Sequence, residues 1–67
     1  MERKALMEAV AARSLALRME LATVCTRAGL SQTIAQRWNR GEGTPRLPTI
    51  AKLERALDEI EAERVAA

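Results

Sequence analysis

Gly29-Leu30-Ser31-Gln32-Thr33-Ile34-Ala35-Gln36-Arg37-Trp38-Asn39-Arg40-Gly41 is the stretch on which the reading of this chain turns. Glycine takes the left-handed conformation that closes a helix without a Cβ clash, so Gly29 is expected to end one helix and Gly41 the next. Ser31 follows Gly29 closely enough to cap the helix between them, its hydroxyl accepting a backbone N–H, and the helix then runs to about Asn39 or Arg40. On such a helix Ala35 and Trp38 fall on one side with Ile34 at its edge, while Gln32, Thr33, Gln36 and Arg37 share the other. One face is built to pack, and the other offers hydrogen-bonding groups to a partner.

Upstream, Leu21, Val24, Cys25 and Ala28 recur at i, i+3, i+4 and i+7 and predict a helix that halts at Gly29. Two helices joined by so tight a turn cross closely, which requires small side chains at the crossing; Cys25 and Ala35 are the small inward residues, and Leu30 fills the space beneath. Downstream, Gly41-Glu42-Gly43-Thr44-Pro45-Arg46 reads as a loop, and Pro48 fits the first turn of a fourth helix, where its missing N–H costs nothing. Ile50, Leu53, Leu57 and Ile60 give that helix an apolar stripe until a polar end near Glu61, with Val65-Ala66-Ala67 expected to fray.

The first helix spans about Glu2 to Arg18, with Leu6, Val10 and Leu17 on one stripe and Met7, Ala11 and Leu15 on a flanking one. Apolar surface on more than one side fits either two stripes that meet the same small core or, through Met7 and Leu15, a contact with a second subunit. The bend to the next helix is expected at Arg18-Met19-Glu20, although neither Gly nor Pro marks it.

A chain of 67 residues has room for one domain, and residues 1–67 are read as a single unit without a separate sensor domain. Its 48% apolar content is mostly Ala and Leu, with Trp38 the only aromatic, which favours close-packed helices over strands. The expected fold is all-α, a compact domain of four helices. No apolar run is long enough for a membrane span, and the Met1-Glu2-Arg3-Lys4 start lacks the apolar core of a signal peptide, so a cytoplasmic location is expected. With Cys25 the only cysteine and no histidine, neither a disulfide, a zinc site nor a Cys-His or Ser-His catalytic pair is available. Neither enzymatic activity, nor a cofactor or metal, nor a small-molecule ligand is expected.

The formal net charge is only +2, yet it is unevenly spread. Arg27, Arg37, Arg40, Arg46, Lys52 and Arg55 face only Glu42 and Glu54 across the middle of the chain, whereas Asp58, Glu59, Glu61 and Glu63 make the end acidic. A basic middle suits a polyanion. Gln pairs bidentately with adenine, Arg with O6 and N7 of guanine, and Thr offers a hydroxyl and a methyl that touches thymine. Gln32, Thr33, Gln36 and Arg37 therefore carry the chemistry of a major-groove reader.

Val24-Cys25-Thr26-Arg27-Ala28-Gly29-Leu30-Ser31, continuing through Trp38-Asn39-Arg40-Gly41 to Pro45 and Leu47-Pro48-Thr49-Ile50-Ala51-Lys52-Leu53, resembles the Cro and lambda-repressor-like, or XRE-type, helix-turn-helix regulators. The resemblance covers about residues 20–57, with the helix-turn-helix at about 20–40; the chain departs from the pattern at Asn39, where Glu is common, and at Ala35, where a branched apolar residue is usual. It implies base contacts from Gln32, Thr33, Gln36 and Arg37, and backbone contacts from Ser31, Arg40, Thr44 and Arg46, helped by the N-terminus of the fourth helix. Arg27, Lys52 and Arg55 read as solvated, Trp38 as core, and Cys25 as a small buried hydrophobe.

A single recognition helix reads too few base pairs, at about 1–3 kcal/mol each, to outcompete non-specific sites. A homodimer on a pseudo-palindromic site of double-stranded DNA is therefore expected, as in small repressors or activators of phage and mobile elements governed by concentration or by a regulatory protein partner. The subunit contact is sought on Met7 and Leu15 or on Ile60 and Val65. The alternative is a protein-interaction module, an antitoxin or a phage assembly or packaging adaptor, for which the acidic end would serve.

Overall fold

A computed structural model describes residues 2–66, leaving Met1 and Ala67 outside. Four helices follow one another, α1 (Arg3–Ala16), α2 (Leu21–Arg27), α3 (Thr33–Asn39) and α4 (Leu47–Ala66), and no strand occurs among the described residues. None of these helices is long and apolar enough to cross a membrane.

Three of the helix ends share one device. After α2, the N–H of Leu30 bonds to Cys25 O (2.8 Å) and that of Gly29 to Thr26 O (3.1 Å); after α3, Glu42 bonds to Arg37 O (2.8 Å) and Gly41 to Trp38 O (3.0 Å). These paired bonds absorb the carbonyls a helix leaves unpaired, and they require a left-handed residue between them, supplied by Gly29 (φ 75°) and Gly41 (φ 71°). The end of α1 repeats the pattern, with Met19 N–H on Ser14 O and Arg18 N–H on Leu15 O (both 2.9 Å), but its left-handed residue is Arg18, at φ 56°. The bend expected at Arg18-Met19-Glu20 is thus made without glycine, which is why composition does not mark it.

The core is formed by Met7 and Val10 of α1, Leu21, Val24 and Cys25 of α2, Ala35 of α3, and Ile50, Leu53, Ala56, Leu57 and Ile60 of α4. Leu6, Leu17, Leu30, Ile34 and Trp38 pack against it from the edges. Two expectations are corrected here. Met7 is fully enclosed and Ile60 is only 3% exposed, so neither is available to a second subunit. The inward direction of α1 runs through Met7, Val10 and Ser14, between the two stripes read from the sequence, so Met7 belongs to the core while Leu15 stays 77% exposed. Ser14, buried on this line, donates its hydroxyl to Ala11 O (3.2 Å) and is thereby satisfied.

A third correction concerns α4, which continues past Glu61 to Ala66. Its segment after Leu57 is rich in good helix formers and is tied down by three arginines. Arg13 of α1 reaches Asp58 (2.7 Å) and Glu61 (2.8 Å), Arg27 of α2 pairs with Glu63, and Arg64 donates to the carbonyl of Leu17. The pairings of Arg13 with Asp58 and Glu61, and of Leu17 with Arg64, ascend together along both segments, so α1 and α4 run parallel. Both carboxylates hold the Arg13 guanidinium protonated beyond its ordinary value, Asp58 most strongly. Most of the acidic end is consequently paired within the chain.

Candidate nucleic-acid interface

The crossing of α2 and α3 positions the polar face. Cys25 is wholly buried and Ala35 is 1% exposed, and the Ala35 backbone lies within hydrogen-bonding reach of the Cys25 thiol. With Ala35 seated there and Ile34 and Trp38 half-buried at its flanks, Gln32, Thr33, Gln36 and Arg37 are left exposed on the other side of α3. This division follows from helical geometry once one residue of α3 is pinned to the core.

Ser31 makes the entry to α3. Its hydroxyl accepts the Thr33 N–H (3.2 Å) and donates to the Thr33 hydroxyl (3.0 Å), while its carbonyl accepts the Ile34 N–H (3.2 Å). Gln32 already has helical backbone angles, φ −63° and ψ −17°, so the turn tightens before the regular helix begins at Thr33. The Ser31 and Thr33 side chains are therefore partly engaged with one another, and both remain exposed.

Gln32 is also held. Its Nε2 donates to the Thr26 hydroxyl oxygen on α2 (3.3 Å), and that hydroxyl in turn donates to Ala22 O (3.1 Å). Gln36 and Arg37 have no such restraint among the described residues.

Arg40 and Arg46, read as phosphate contacts, differ from one another. Arg40 Nε lies 2.8 Å from a Glu42 carboxylate oxygen, and both side chains are largely in solvent. An exposed pair of this kind is worth about 0–1 kcal/mol, so an anion can displace Glu42 at small cost. Arg46 is exposed at the end of the loop and, among the described residues, has no carboxylate partner. Thr44 is half-buried and shares a cleft with Ile34, Arg37, Pro45 and Thr49, which brings the loop and the first turn of α4 alongside the outer face of α3. The eight sequence-derived residues thus lie on α3, its entry and the loop that follows it.

Three further residues of this region escape the sequence reading. Lys4 of α1 lines a cleft with Glu8, Trp38, Gly41, Gly43 and Thr44, bringing a cation together with a carboxylate from a distant part of the chain that no local pattern reports. Glu42 sits two positions from Arg40, and that adjacency was a readable signal of pairing. Thr26 lies in the last turn of α2 and gives no signal in sequence of its bond to Gln32. In comparison with known proteins, the chain matches no protein-family model, no curated protein and no solved structure.

Proposed function

We propose that this chain is a sequence-specific double-stranded DNA-binding transcriptional regulator of the Cro and lambda-repressor-like, XRE-type kind, with α2 and α3 as its helix-turn-helix. In this reading α3 enters the major groove; Gln32, Thr33, Gln36 and Arg37 address base edges, and Ser31, Arg40, Thr44 and Arg46 address the backbone. The observation that carries it is the exposure of Gln36 and Arg37 on the face of α3 opposite the buried Ala35. Exposure leaves those groups free to reach a partner, which a polar face bonded to neighbouring protein would not be.

The chain binds as a homodimer on two half-sites about one turn, ~34 Å, apart, because one short helix cannot supply the needed specificity. With Met7 and Ile60 in the core, the exposed apolar residues open to a subunit contact include Leu15 and Val65. The competing protein-adaptor reading drew on the acidic end, but Asp58, Glu61 and Glu63 are already paired with arginines of the same chain. Those pairs are exposed and weak, so the DNA reading rests on the outer face of α3 rather than on the loss of these charges.

Selection of bound sites from random duplexes, followed by titration at several salt concentrations, tests it. A paired motif and an affinity falling steeply with salt are expected. Salt-insensitive or absent duplex binding overturns the proposal.

A further inference from the structure

We infer that Thr26 is a positioning residue for Gln32 and, through it, a determinant of base preference; the inference rests on the DNA reading above. The Thr26 hydroxyl has one proton, and it is spent on Ala22 O at 3.1 Å. Toward Gln32 the Thr26 oxygen can therefore only accept. The end of the Gln32 side chain that faces it must be the amide nitrogen, which donates across 3.3 Å.

A free carboxamide on a helix surface turns end for end at little cost and presents oxygen or nitrogen with equal ease. Held by Thr26, Gln32 has one N–H committed and keeps one N–H and its carbonyl oxygen for a partner. One donor and one acceptor match the N7 and N6–H2 edge of adenine. Guanine presents two acceptors, O6 and N7, and would draw on the N–H already engaged. Thr26 touches no base in this scheme. It acts by removing the alternative orientation of Gln32, and so favours adenine over guanine at one position of the half-site.

Site selection with the full chain and its Gln32→Ala, Thr26→Val, Thr26→Ala and Thr26→Ser variants tests this. Gln32→Ala identifies the position that Gln32 reads. At that position Thr26→Val, which keeps the shape and loses the hydroxyl, should reduce the adenine-over-guanine preference about three- to tenfold, the scale of one hydrogen bond. Thr26→Ala should match it if the valine variant folds poorly, Thr26→Ser should restore the preference, and the salt dependence should not change in any of the three. An unaltered preference in both hydroxyl-free variants, with Gln32→Ala still losing it, overturns the role of Thr26 while leaving the DNA reading intact. Loss in the serine variant as well, or no effect of Gln32→Ala, also overturns it. A wild-type chain that selects no motif removes the DNA reading itself.

Discussion

Cys25 of α2 and Ala35 of α3 meet at the helix crossing, the thiol facing the Ala35 backbone, and both are almost completely enclosed. Because both are enclosed, a larger side chain at either position has to displace its neighbours. Ala35→Leu, which restores the bulk usual in the resembled family, should therefore destabilise this chain by about 1–3 kcal/mol, the ordinary cost of overpacking. Urea unfolding measures it, and an unshifted midpoint would show that the crossing has slack.

The same enclosure sets a pH response. Burial raises the Cys25 thiol above its ordinary value of 9.0, and the Ala35 amide opposes this more weakly. Below that value both folded and unfolded thiols are protonated and the group adds no pH dependence; above it the unfolded thiol ionises first and stability falls until the folded value is passed. Wild type should lose more stability between about pH 7 and about pH 10 than Cys25→Ala does. Parallel losses in the two proteins would mean that the thiol is not the responsible group.

Arg18 occupies the left-handed position after α1 with φ 56°, where Gly29 and Gly41 serve α2 and α3. A non-glycine residue there costs about 1–2 kcal/mol, against about 0.4–1 kcal/mol for the greater unfolded freedom of glycine. Arg18→Gly should raise stability by about 0.5–1 kcal/mol net. Thermal melting decides it, and a lowered melting temperature would reveal a stabilising role for the Arg18 side chain.

Arg37 and Arg46 should separate base reading from phosphate neutralisation. Arg37→Ala is expected to cost about 1–3 kcal/mol on the selected site and to relax preference there. Arg46→Ala should weaken all sequences alike and lower the salt slope by about 1. Equal, sequence-blind losses from both changes would remove Arg37 from the base-reading set.

Much of the architecture is legible residue by residue. The inward stripes of α2 and α4 are visible as spacing, and the ends of α2 and α3 as Gly29 and Gly41. The exposure of Gln36 and Arg37 follows from placing Ala35 inward. The bend at Arg18 escapes composition, because there the chain imposes an unfavoured conformation on a residue that does not prefer it.

What composition and periodicity specify is local: which segments coil, where glycine stops them, and which side of each helix is apolar. Packing alone settles which of two apolar stripes on α1 turns inward, how far α4 continues, and which polar atoms near α3 are already taken. Those outcomes depend on partners far away in the chain, such as Arg13 with Asp58 and Glu61. Local spacing carries no information about such pairs; their free energy arises only when α1 and α4 have been brought side by side around a shared core.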